Sequence, residues 1–242
     1  MRDRIRTTII IVVLLLVGCS SPKMSAPAVV TPVQTTVSTQ TDQAAAGAVV
    51  LRTSDFPSGW VAVPHDSSAD GKIDALLASC LHVQSTVFSY TAFPVYADAP
   101  DVSMGNGATA IQNSVKVSRT SLTPTAMSAV VESKLWLTCL STAFGRDLFS
   151  SGTGGSVLKE VSTTRLDLPN LVDMTISTRT KLSVASHGVT APLYVDVIVM
   201  RKGRAILLLT FLDTLMAFDV NMEQQLITIV AKRAETALLG AS

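Results

Sequence analysis

The sequence predicts an α+β domain with a mainly antiparallel sheet. Three observations point there. Apolar residues take up a period of two after the glycine-rich stretch, and two short, almost wholly apolar runs then flank a tight Arg201-Lys202-Gly203-Arg204 link. Segments with helical spacing lie before and after this stretch. Strands and helices do not alternate as the βαβ units that a parallel sheet requires.

In chain order, Val49 to Leu51 reads as a short strand. Asp55-Phe56-Pro57-Ser58-Gly59-Trp60 is a turn carrying two large apolar groups, and Trp60 to Val63 reads as extended until Pro64 stops it. Asp70 can cap a helix through Cys80, with Ile73, Leu76, Leu77 and Cys80 at helical spacing. A strand is expected within Thr86 to Tyr96. Gly105-Asn106-Gly107 is a turn, and Ala108 to Arg119 reads as a strand. Ser121 or Thr123 starts the next helical region, with Pro124 tolerated in its first turn. Its apolar residues run through Met127, Val130, Val131, Leu135, Cys139, Leu140 and Phe144 towards Phe149, as one helix or as two meeting near Ser133.

Gly152 to Ser156 is a glycine-rich loop, followed by a strand over Val157 to Leu166. Val172, Met174 and Ile176 alternate with Asp173, Thr175 and Ser177, the pattern of a half-buried strand. Leu193 to Met200 and Ala205 to Leu212 form an antiparallel hairpin, apolar on both faces apart from Asp196 and Thr210. Strands of that kind sit centrally, covered on each side. Asn221 to Leu239 is a final helix, with Met222, Leu226, Ile229, Val230 and Ala234 inward. Glu223, Lys232, Arg233 and Glu235 are expected nearer water.

Ahead of this domain the composition changes. The chain opens with Arg2, Arg4 and Arg6 against Asp3, then an apolar run from Ile9 to Val17. That run is shorter than the roughly 20 residues of a membrane span. It has the layout of a secretory signal peptide over residues 1–18. Its end, Leu16-Val17-Gly18-Cys19, resembles the lipobox of bacterial lipoproteins. The resemblance implies a diacylglyceryl thioether on Cys19, cleavage before it, and palmitate-type acylation of the new N-terminus. Two or more acyl chains hold a protein stably on a bilayer.

Residues 19–48 are rich in Ser, Thr, Pro, Ala and Gln and lack aromatic side chains. A flexible stalk is expected there, because the segment has little apolar surface to offset the ordering of its chain. Thr31, Thr35, Thr36, Thr39 and Thr41 beside Pro32 are either O-glycosylation positions or part of a bare spacer. Residues 49–242 then form a single extracytoplasmic domain of ordinary size.

Charge sets further bounds. The 242 residues carry 19 Lys and Arg against 18 Asp and Glu, a net charge of +1. Cleavage removes three of those basic groups and one acidic group, leaving −1. No basic face is available for nucleic acid, and membrane attachment would come from lipid rather than charge.

Two cysteines remain in the mature domain, Cys80 and Cys139. Export places them in an oxidising compartment, where a bridge is expected. It would pin the first helix to the one preceding the glycine loop. No Cys-x-x-Cys redox spacing is present.

Several short motifs resemble those of actinobacterial, chiefly mycobacterial, cell-envelope lipoproteins. They are Asp55-Phe56-Pro57-x-Gly59-Trp60, Cys80, Trp136-x-x-Cys139, and Tyr194-Val195-Asp196-Val197 followed by Gly203-Arg204-Ala205. The domain is also distantly similar to the extracellular sensor domain of a mycobacterial serine/threonine kinase. These resemblances span roughly residues 50–235. They imply an α+β domain with a cleft and a role in ligand sensing or binding, and they bring no catalytic residue.

Residue patterns for chemistry are sparse. The three histidines, His65, His82 and His187, have no zinc-helix spacing, and a metal site would need distant partners such as His65 with Asp66 or Asp70. Surface histidines are the expectation, with no metal and no cofactor. Gly-x-Ser-x-Gly is absent, and Gly152 to Ser156 lacks the Gly-Lys-Ser/Thr end of a phosphate loop. A hydrolase hidden in these patterns is the least favoured reading. Asp167, Asp173, Asp196, Asp213 and Asp219 form no motif. Asp196 stands out because it interrupts an apolar strand. Pairing with Arg204 across the hairpin is favoured over a binding role. Arg201, Lys202 and Arg204 read as a solvent-exposed turn.

The candidate ligand-binding residues are Asp196 and Trp60. The expected function is a membrane-anchored extracytoplasmic lipoprotein that binds or senses a small amphiphilic envelope ligand. The alternative is a structural lipoprotein that contacts envelope proteins. The deciding feature is whether space is left between sheet and helices or is filled by side chains.

Overall fold

A computed structural model describes residues 39–65, 70–88, 92–105, 107–150, 157–186 and 189–239. Residues 1–18 (the expected signal peptide), Cys19, the expected stalk up to residue 38 and the glycine loop at 152–156 lie outside the described residues. In chain order the elements are α1 (Thr39–Val49), β1 (Val61–Val63), α2 (Asp70–Leu81), β2 (Val95–Asp98), β3 (Asp101–Met104) and β4 (Thr109–Val117). Then come α3 (Leu122–Glu132), α4 (Leu135–Ser150), β5 (Val157–Arg165), β6 (Met174–Ser186), β7 (Val189–Lys202), β8 (Ala205–Asp213) and α5 (Val220–Ala237). The fold is α+β, and all strand pairs are antiparallel within one eight-stranded sheet.

The main path through the sheet is β1-β3-β4-β8-β7-β6-β5, with β2 pairing β4 beside β3. The doubly apolar hairpin is central, as its composition predicts. β7 and β8 pair from Tyr194–Asp213 to Lys202–Ala205, flanked by β6 and β4. The period of two divides their side chains between two cores. Ile198, Met200, Leu207, Leu209 and Phe211 pack under α1 and α5. Val195, Val197, Val199 and Ile206 pack under α2, α3 and α4. Phe211, Ile198, Leu182 and Leu209 are wholly buried, so side chains fill the sheet faces beneath the helices.

Cys80 on α2 and Cys139 on α4 are joined by a disulfide, with Cα atoms 5.5 Å apart. Ser133, in an extended conformation, separates α3 from α4 and resolves the helical region into two.

Three expectations change. Among the described residues, Thr39–Val49 is a packed helix where the composition predicts stalk over residues 39–48. Asp42, Ala46 and Val49 recur at helical spacing and are buried, and the Ala-rich sequence favours helix. Val49 to Leu51 is the end of this helix and its exit, not a strand; the Leu51 amide donates to Asn113 Oδ1 at 2.8 Å. Arg204 is buried rather than part of an exposed turn. It donates to both carboxylate oxygens of Asp42 and to the Ser118 carbonyl, clamping α1 onto the hairpin.

Candidate functional site

The Asp55 to Trp60 motif folds back onto α5. Thr53–Asp55 is a single 3₁₀ turn, closed by the Arg52 amide donating to Asp55 Oδ2 at 2.7 Å. Arg233 on α5 grips the same carboxylate with two bonds of 2.7 Å and also donates to the Val50 carbonyl. Burial pushes the Asp55 carboxyl up, but Arg233 and the Arg52 amide outweigh it and hold the acid below its usual range. Gly59 turns the chain into β1 with φ +99°, a conformation that side chains disfavour.

From this turn a row of rings runs into the core. Phe56 and Trp60 have centroids 5.4 Å apart, Trp60 and Phe218 6.4 Å, and Phe218 and Phe211 4.8 Å. Each spacing lies in the favourable range for tilted aromatic pairs. Asp219 follows Phe218 and caps α5, its Oδ1 accepting from the Met222 amide at 2.8 Å. Between the turn and the first turns of α5 opens a cleft of about 470 Å³. Its walls are apolar at Phe56, Pro57, Met222 and Leu226, and polar at Asp55, Asp219, Asn221 and Gln225.

A second feature lies under the same helix end. Glu223 is turned about 100° around α5 from Met222 and is wholly buried. Asp196 on β7 is wholly buried too. Arg179 on β6, directly opposite it in register, donates from Nε to Oδ1 at 2.7 Å and from an Nη to Oδ2 at 2.5 Å. That Nη is also 3.8 Å from Glu223 Oε2. Two buried carboxylates therefore face one guanidinium. Burial and then the Asp196 charge push the Glu223 acid up to about 7, with Arg179 pulling only partly back.

The two candidate residues are thus separately placed. Trp60 is buried inside the ring row, behind Phe56, and does not line the cleft. Asp196 pairs with Arg179 on its other neighbouring strand, not with Arg204 across the hairpin, because Arg204 is held by Asp42. The ring row links their surroundings: Phe211, its inner end, sits opposite Asp196 in the β7–β8 register. Glu223 faces the sheet rather than water. Sequence reading missed it although it shares the inward helical stripe of Leu226, Ile227 and Val230, where a lone acid is conspicuous. Arg179 carries no comparable signal, since Thr175, Ser177 and Lys181 put polar residues at the same alternate positions of β6.

Elsewhere, His65 hydrogen-bonds Asp101 Oδ1 at 2.8 Å. Among the described residues, no group of three or more His, Cys, Asp or Glu is placed to hold a metal ion. Nor is any described helix long and apolar enough to cross a membrane.

No family model matches the chain. No curated protein matches it either. Among solved structures, the extracellular domain of PknH from Mycobacterium tuberculosis is similar, with a TM-score of 0.42 at 12% identity, covering 81% of this chain and 95% of that one. At that level of likeness no function is transferred to this chain.

Proposed function

We propose that this chain is a lipid-anchored, extracytoplasmic lipoprotein whose domain binds a small amphiphile at the cleft beside α5. The cleft carries the reading. Its volume of about 470 Å³ falls within the usual few hundred to a thousand Å³ of small-molecule sites. Both walls mix apolar and polar side chains: Asp55 beside Phe56 and Pro57 on the turn, and Asp219, Asn221 and Gln225 beside Met222 and Leu226 on α5. That mixture suits a ligand with an apolar body and an uncharged or cationic polar end. The sheet faces are packed with buried side chains, which by itself favours the structural, protein-contacting alternative over an internal site, so the ligand would sit at the surface rather than inside the domain. The Cys80–Cys139 bridge fits an oxidising compartment, and the lipobox-like Leu16 to Cys19 supplies the anchor.

Native mass spectrometry of the chain purified from an envelope fraction tests both parts. An acyl mass covalently attached at Cys19 and a separate, stoichiometric non-covalent mass are expected. The second mass should disappear in a Met222→Glu variant, which places a charge in the apolar wall. Absence of the acyl mass refutes the anchor. A wild-type domain without non-covalent mass, together with no saturable heat of binding for a monoacylglycerol in calorimetric titration, refutes the amphiphile reading and leaves protein contact as the alternative.

A further inference from the structure

Glu223 has no hydrogen-bond partner for either carboxylate oxygen among the described residues, although it is wholly buried. An ionised carboxylate in that position carries a large desolvation cost. Its nearest cation, Arg179, is already committed to Asp196 through two hydrogen bonds. If both acids are charged, the site holds one negative charge in excess.

The surrounding elements do not remove it. On β7, Tyr194 lies near Arg179 and supplies no positive charge. Lys181 on β6 and Asp213 on β8 flank Tyr194 in register, with Lys181 exposed and Asp213 accepting from Thr109 and two loop amides. On the β5–β6 connection, Asp167 is exposed and Asp173 accepts from the Gly203 amide. On α5 itself, Asp219 is the helix cap, and on α1, Asp42 is held by Arg204.

We propose that Glu223 is a proton-operated latch, allowing the first turns of α5 to close against the sheet when neutral and loosening them when ionised. Those turns carry Asp219, Asn221, Met222 and Gln225, one wall of the cleft. The latch would therefore couple cleft shape to pH, a consequence that rests on the binding reading above. The direction follows from proton linkage. The acid is raised from 4.5 to about 7 in the folded chain. Its contribution is complete below about 4.5 and is lost as pH rises to about 7, because only the opened state has released its proton in that interval. Between pH 6 and pH 8, these values give about a tenfold fall in the closed-to-open ratio.

Hydrogen exchange of the full chain in detergent tests the latch without any ligand. Protection factors of amides at 222–226, corrected for intrinsic exchange, should fall about tenfold from pH 6 to pH 8. In Glu223→Gln they should change less than about threefold over the same range, since the amide cannot ionise. Equal pH dependence in the two proteins would overturn the latch. If the variant fails to fold, the carboxyl ¹³C titration of Glu223 in the native chain decides. A midpoint near 7 supports the latch, and one below about 5.5 refutes it. Loss of the cleft ligand with retained pH-dependent exchange would defeat only the binding reading. Retained ligand with flat exchange would defeat only the latch.

Discussion

Arg179 serves two acids with one guanidinium, and the consequences can be separated by removing Asp196. Deleting one member of a buried pair costs about 3–5 kcal/mol, because the partner charge is left without compensation. Here Arg179 is 19% exposed and keeps Glu223 at 3.8 Å, so the low end applies. Asp196→Ala is expected to lower stability by about 3 kcal/mol in urea unfolding at pH 7. A loss below about 1 kcal/mol would mean that Glu223 takes over Arg179 and makes good the missing acid. The same substitution removes the neighbouring negative charge from Glu223 and frees Arg179 for it, so the Glu223 acid should move back towards its ordinary range. Asp55 shows the opposite balance, since Arg233 and the Arg52 amide overcome its burial.

At the level of elements, two attachments fix the helices, one joining two helices to each other and one joining a helix to the sheet. The first is the disulfide between α2 and α4, whose cysteines are 59 residues apart in sequence. Closing a loop of that length restricts the unfolded chain by about 4 kcal/mol in the chain-entropy account. The Cys80→Ala, Cys139→Ala double variant should therefore lose about 2–4 kcal/mol in urea unfolding while keeping its far-ultraviolet dichroism. A stability equal to wild type would show that native strain cancels the constraint.

The second attachment is α1, where Ala46 and Val49 are wholly buried and Asp42 neutralises Arg204. A chain starting at Val49 leaves Arg204 buried without its acid and uncovers the α5 side of the core. It should be less stable by about 3 kcal/mol or more than one starting at Thr39. Equal unfolding midpoints for the two chains would remove α1 from the domain.

For the molecule as a whole, the central hairpin was readable because Val195, Val197 and Val199 alternate with Asp196, Ile198 and Met200, all flanked by a short turn. Such a strand must be covered on both faces, and it is. The Cys80–Cys139 pairing was readable from the expectation of export and from there being only two cysteines in residues 49–242. β3 escaped notice because Asp101-Val102-Ser103-Met104 has a single wholly buried apolar residue and is a strand through its pairing with β1 and β4. Similarly, α1 lacks a wide apolar stripe. Its burial depends on Arg204, 162 residues away, which no local window contains. The cleft was half legible: the Asp55 to Trp60 motif forms one wall, while the other wall required knowing that α5 returns to it.

That return joins the two ends of the domain in time as well as in space. Asp55 is held by Arg233, 178 residues later, and α1 packs beside α5, the last helix. A chain crossing a membrane N-terminus first would present α1 and the Phe56 turn long before their partners emerged. The opposite layer, with α2, α4 and their bridge, can gather from a shorter span of chain. Contacts between distant segments form slowly because loop closure must precede them. The α1–α5 face is thus the part of the fold that must wait for the final helix, and its hydrophobic residues are those exposed longest until that helix arrives.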